Sequence, residues 1–254
     1  MKSPLLSWVL ALWLAPLSSA FAATLLFSHN GSTDPTTEGW SRSTATTTVT
    51  GAAYDDDGTA VWRVTDPGNS SGGTGLYYFR TMNATTLDTV MTSGWELSAT
   101  ISVPTDDPTS GIAWGVDSNT WLGFAATEGA GRRYWALMFG RDASGNTRVT
   151  AAGSAAGTRT LAAGYHDYRL VYDPGTARVT IYIDGEVWQS DYNGASASAG
   201  SNLVYWGDNN GQSSVIPTRS AYYESVDFVV APEPSRLLFL LLGAFAVFGR
   251  RRRG

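Results

Sequence analysis

The chain has 254 residues, with 17 basic and 22 acidic side chains, two histidines and no cysteine. Outside its two ends an acidic chain like this offers no basic patch to nucleic acid, and one with no cysteine carries neither disulfides nor thiolate metal sites. What remains is a chain long enough to bury an apolar core and stand on packing alone.

The first 22 residues read as an export signal. Lys2 supplies a positive start, Leu5 to Leu17 an apolar stretch broken by Pro16, and Ala20-Phe21-Ala22 a small-x-small cleavage site before Ala23. The expected route is the general secretory pathway, and residues 1–22 drop out of any fold argument.

From Ala23 onward, short runs of aromatic and β-branched residues alternate with Gly, Asn, Asp, Ser and Pro, and no stretch sustains a helical apolar period for three turns. Thr24 to Ser28 is a predicted first strand, and Ser43 to Thr50 an edge strand or loop. Asp55-Asp56-Asp57-Gly58 turns into Thr59 to Thr65, where Ala60, Trp62 and Val64 share one face and Val61 and Arg63 the other. A Gly- and Ser-rich loop from Pro67 to Gly75 precedes a strand at Leu76 to Arg80.

Trp95 to Val103 alternates cleanly, with Trp95, Leu97, Ala99, Ile101 and Val103 on the buried side. Ile112 to Val116 and Trp121 to Ala125 flank Asp117 to Thr120 as a predicted hairpin, and Tyr134 to Phe139 and Thr147 to Ala151 flank a second. Tyr165 to Tyr172, Ala177 to Ile183 and Glu186 to Ser190 form a three-stranded meander through Asp173-Pro174-Gly175 and the type I′ pair Asp184-Gly185. Leu203 to Asp208 and Tyr222 to Val230 complete the set. No internal repeat is evident.

The order of aromatic-His, alternating strand, Asp-Pro-Gly turn, second strand and Asp-Gly hairpin resembles the laminin-G-like or concanavalin A-like class. That resemblance covers residues 164–230 best. It implies an all-β, two-sheet antiparallel jelly-roll sandwich over residues 23–230, a scaffold shared by lectins, hydrolases and adhesive modules.

Residues 231–254 end the chain with Pro232-Glu233-Pro234, an apolar run from Leu237 to Phe248, and Arg250, Arg251, Arg252 and Arg253. As a helix the apolar run spans about 18 Å, short of the ~30 Å hydrocarbon core, while the arginines hold its end on the cytoplasmic side. These three blocks resemble a PEP-CTERM sorting signal. The resemblance implies transient insertion in the inner membrane through a short hydrophobic helix, recognition by an exosortase-type membrane protease, removal of the tail, and delivery to the cell surface or extracellular matrix. Without both signals, 11 basic and 21 acidic side chains remain. That balance turns expectation away from acidic polysaccharide and towards neutral polysaccharide and divalent cations.

Candidate chemistry is sparse. Asp184 with Glu186 brackets a turn, and Glu224 with Asp227 has odd spacing on a strand, so neither offers the facing carboxylates of a glycosidase. His29 falls in a polar loop, and His166 is read as structural, bonding a loop carbonyl; no Gly-x-Ser-x-Gly elbow accompanies either. The oxygen-rich stretches at Asp55, Asp56, Asp57 and at Asp208, Asn209 are candidates for calcium. Of the eight tryptophans after the signal, Trp62 and Trp95 are read as core, while Trp121 and Trp206, with Tyr205, are read as rim residues able to stack on sugar rings. The resulting expectation is an exported, surface-sorted sandwich that binds carbohydrate or serves a structural role. The alternatives are a glycoside hydrolase or lyase of the same class and a protein adhesion module.

Mass spectrometry of the protein from its native cell should find a chain starting at Ala23 and ending near Pro234. A surface-located product that retains Arg253 would refute the sorting assignment.

Overall fold

The computed structural model of the protein describes residues 23–43, 49–66, 75–104, 120–128, 131–198, 200–208 and 219–230. Both terminal signals lie outside them. In chain order the strands are β1 (Thr24–Asn30), β2 (Ser41–Arg42), β3 (Thr50–Asp56), β4 (Thr59–Asp66) and β5 (Tyr77–Thr81), then a helix, α1 (Ala84–Ser93), and β6 (Trp95–Ser102). They continue with β7 (Thr120–Glu128), β8 (Gly131–Arg141), β9 (Thr147–Ala151), β10 (Thr158–Leu161) and β11 (Tyr165–Asp173). The last are β12 (Arg178–Ile183), β13 (Glu186–Tyr192), β14 (Ala195–Ala197), β15 (Leu203–Asp208) and β16 (Arg219–Val230).

Two antiparallel sheets face each other. The first runs β13-β12-β11-β6-β16-β4-β3, with β1 also paired to β16; the second runs β10-β9-β8-β7-β15-β5-β2, with β14 paired to β8. Strand alternation decides what lies between them. In β6, Trp95, Leu97, Ala99 and Ile101 are buried, as the sequence predicts. Trp95 stacks on Tyr172 at 5.5 Å between ring centroids and meets Phe124 edge-on at 5.0 Å, joining the sheets at one end. Trp206 lies between His29, at 4.7 Å, and Tyr78 and Tyr223, also at 4.7 Å, at a second aromatic centre.

Strand β16 is shared in an unusual way. Its first half pairs with β4 through Tyr223, and its second half, from Ser225 to Val230, pairs with β1 along the same edge. The change of partner falls at a bulge on Glu224, whose carbonyl accepts from the Gly31 N–H at 2.7 Å. Strict alternation does not run through a bulge, so the odd-spacing argument for Glu224 and Asp227 does not apply across it.

Several expectations need correction. The segment Ala84–Ser93 is helical, capped by Asn83, whose side chain accepts from the Thr86 N–H at 2.8 Å. Its apolar face is only Leu87, Val90 and Met91, too short a run to show a period. Among the described residues, β8 and β15 occupy both edges of β7; Ile112 to Val116, the other arm of the predicted hairpin, lie outside the described residues. Val61, which alternation puts with Arg63 on the face opposite Trp62 and Val64, is also fully buried. Finally, His29 belongs to β1, not to a loop, and is 1 % exposed.

That burial has a consequence for stability. The His29 Nδ1 lies 2.7 Å from a Glu38 carboxylate oxygen, and its Nε2 is buried with no partner among the described residues. Burial holds the imidazole pKa below its ordinary value, against the opposing pull of Glu38, Asp227 and Asp34. The unfolded chain therefore takes up a proton near pH 6.5 that the folded one does not, and stability falls as pH drops below that point, by at most ~1.4 kcal/mol per unit. Urea unfolding at pH 7.5 and 5.5 should show this loss in the wild type and a smaller loss in His29→Gln; equal losses would contradict it.

Candidate functional site

The solvent face of the second sheet is built from the residues that alternate with its core positions. Across four strands, Ala136, Gly123, Tyr205 and Phe79 stand opposite one another in register. The next row aligns Tyr134, Ala125 and Leu203, and the row on the other side aligns Met138, Trp121, Gly207 and Tyr77. Small residues thus form a floor and aromatic rings rise around it. The result is a trough of about 370 Å³ lined by Tyr77, Trp121, Ala125, Arg132, Tyr134, Ala197, Leu203 and Tyr205.

Gly123 keeps this floor low. A Cβ at that position would fall 2.8 Å from the Ala136 Cβ and 2.8 Å from the Tyr205 ring, so any side chain would displace the tyrosine. Trp121 lies 6.4 Å from both Tyr134 and Tyr205, giving a continuous aromatic surface with tilted rings. Trp121 and Tyr134 are half-buried, with ring surface left to solvent. Burial pushes the Tyr205 hydroxyl far above its ordinary pKa; Tyr134, Tyr192 and Tyr77 add to the rise, and Arg132 opposes it in part. This phenol is held neutral, as a hydrogen-bond donor rather than a base.

Of the three predicted stacking residues, the trough brings together Trp121 and Tyr205, but Tyr205 is not at its rim: it is buried, 5 % exposed, with its ring lying over Gly123. Trp206 is not a rim residue: it is fully buried between the sheets, beside Val204 on the core face. Neighbours in a strand point to opposite faces, so Tyr205 and Trp206 cannot line one surface. The sequence reading did not find Tyr77, Tyr134 or Arg132. The alternation of Tyr134 with buried Trp135 was the available signal; assembling it with Trp121 required the strand register.

The acidic candidates are used elsewhere. Asp55 accepts from the Gly58 N–H at 2.7 Å and closes the β3–β4 turn, in which Asp57 and Gly58 have positive φ. Asp56 accepts from the Tyr165 hydroxyl at 2.8 Å. Asp208 is buried at the end of β15, where Gly75 packs against it, and Asn209 lies outside the described residues. Among the described residues no three acidic or histidine side chains converge as a calcium cage would need. His166 is structural as expected, with Nε2 2.9 Å from the Ala162 carbonyl and Nδ1 2.8 Å from Asp184. In a second groove, on the first sheet, Thr100 donates to Asp167 and Arg169 rests over Tyr182, while the hydroxyl of Tyr168, also in the lining, is buried with no hydrogen-bond partner among the described residues.

The chain is thus a two-sheet antiparallel β-sandwich of jelly-roll type. No family model and no curated protein matches its sequence. Among solved structures, an endo-β-1,4-glucuronan lyase from the fungus Trichoderma reesei aligns with 83 % of this chain and 99 % of its own, at 14 % identity and a TM-score of 0.49. The botulinum neurotoxin serotype C1 binding domain aligns with 87 % of this chain and 52 % of its own, at 9 % identity and a TM-score of 0.47. The binding domain of botulinum neurotoxin DC, in complex with rat synaptotagmin II, aligns with 87 % and 51 %, at 10 % identity and 0.45. These are likenesses of fold, and the chemistry of the trough rests on its own residues.

The two tryptophans should separate on substitution. Trp206→Ala removes a buried indole and should lower unfolding free energy by about 3–5 kcal/mol in urea titration, whereas Trp121→Ala should cost a small fraction of that. Comparable losses would mean that Trp121 is also core.

Proposed function

We propose that residues 23–230 are a carbohydrate-binding module, exported through the N-terminal signal and sorted to the cell surface or extracellular matrix by the C-terminal one. One observation carries the binding reading: the register of the second sheet sets Trp121, Tyr134 and Tyr205 around a floor of glycine and alanine. A sugar ring offers C–H groups on its faces and hydroxyls at its rim. Aromatic faces bury the first, and tyrosine hydroxyls exchange hydrogen bonds with the second. Open to solvent and not enclosed, such a trough suits the rings of a glycan better than a fully buried small ligand.

Binding fits the trough better than hydrolysis does. Two-carboxylate hydrolysis needs a pair of acids about 5–9 Å apart across the scissile bond, and among the described residues no carboxylate lines this trough. The sorting half of the proposal is supported by the order of Pro232-Glu233-Pro234, the apolar run and the four arginines.

Affinity electrophoresis of the purified domain in gels containing soluble polysaccharides tests the site. Retardation by at least one glycan is expected, with affinity lost about tenfold or more in Trp121→Ala and Tyr134→Ala, while Trp188→Ala, outside the trough, behaves as wild type. Binding that survives both trough substitutions would place the ligand elsewhere.

A further inference from the structure

The charge of the trough differs from that of the chain around it. Arg132 is its one ionic lining residue, and none of the groups acting on the Tyr205 hydroxyl is a carboxylate. The Arg132 Nη2 donates to the Ser201 carbonyl at 2.6 Å, its Nε is buried with no partner, and no ion pair involves it among the described residues. The neighbouring arginine differs: Arg133 Nε lies 2.7 Å from Glu128. One arginine of the pair is neutralised and the other is left beside the aromatic rings. Other described arginines also have no ion pair, Arg63, Arg80 and Arg178 among them; what sets Arg132 apart is its place in the lining of the trough, beside the aromatic rings.

Backbone geometry holds the guanidinium in place. It lies over Gly200, where a Cβ would fall 2.9 Å from the Arg132 Cζ, so glycine at that position lets the planar head lie against the chain. A fixed guanidinium presents its remaining N–H groups as a fork matching a carboxylate, with less side-chain entropy left to lose on binding.

We propose that the ligand of the trough is an acidic glycan, a polymer of uronic acid residues. Arg132 takes a sugar carboxylate while Trp121, Tyr134 and Tyr205 take the ring. This rests on the trough being the glycan site, and it reverses the expectation of a neutral ligand drawn from net charge. Net charge governs the field at long range, which salt screens within about 8 Å at physiological ionic strength; contact specificity is set by the groups that touch.

The test compares oligosaccharides of polygalacturonate and polymannuronate with their carboxyl-reduced, neutral counterparts, by titration calorimetry in 150 mM salt. Wild type should bind at least one uronate about tenfold or more tightly than its reduced form. Arg132→Gln should abolish that preference, weakening binding of the uronate far more than binding of the reduced form, Arg132→Lys should keep part of it, and Arg133→Gln should keep all of it. A thermal melt of each variant confirms folding. Equal affinity for the uronate and reduced forms, binding of the reduced forms alone, or a preference that survives Arg132→Gln would overturn the proposal while leaving the trough as a glycan site. Wild type that binds no member of either series, yet is retarded by another glycan in a Trp121-dependent way, would also overturn it; wild type that binds no glycan at all removes the trough reading with it.

Discussion

With no cysteine to cross-link them, the two sheets are held face to face by the side chains between them, and aromatic rings provide the bulk of that packing. Trp95 illustrates the demand. Its indole stacks on Tyr172 from its own sheet and meets Phe124 and Trp135 from the other, at centroid separations of 5.0–5.6 Å. Rings of this size fix the spacing of the sheets and leave little freedom to slide, because each is enclosed on several sides. Every residue on the solvent faces is positioned by that constraint, since a strand whose inward side chains are locked cannot change register without turning its whole pattern over.

The trough follows from the same constraint. In β7, Leu122 and Phe124 are locked into the core, so Trp121, Gly123 and Ala125 must point to the other face, where Gly123 and Ala125 are covered and Trp121 keeps part of its surface exposed. In β15, Val204 and Trp206 do the locking, and Tyr205 is delivered to the opposite side. Core and site are therefore two faces of the same strands, and the rigid backbone that preorganises the aromatic surface comes from packing beneath it. Where the floor has to be low, glycine and alanine replace the branched residues usual in strands. The price is a patch of weak strand formers that depends on its neighbours for order.

Much of the first sheet was legible because its signals are local. Trp95 to Ser102 alternates without exception, and Asp184-Gly185 supplies a turn whose φ values of 52° and 79° the dipeptide itself favours. The second sheet was harder, since Gly123, Ala125, Ala136 and Ala152 give its strands a muted pattern and its edges are filled from distant parts of the chain. His29 and Trp206 were misjudged for one reason. Each was read by the polar residues that follow it in sequence, whereas Phe27 before His29 and Val204 before Trp206 share their faces and point inward. The trough itself is a product of register between β5, β7, β8 and β15, and no single segment encodes it.

The double partnership of β16 bears on how the molecule would carry a load. From Ser225 to Val230 this strand is hydrogen-bonded to β6 on one side and β1 on the other. Ladder bonds in an antiparallel sheet run perpendicular to the strands, so a pull applied beyond Val230 meets both rows broadside and must shear them together instead of peeling them singly. The aromatic trough lies on the other sheet. Tension between that sheet and the end of β16 passes through the sandwich by way of the interlocked rings around Trp95 and Phe228, a path of mechanical resistance set by packing.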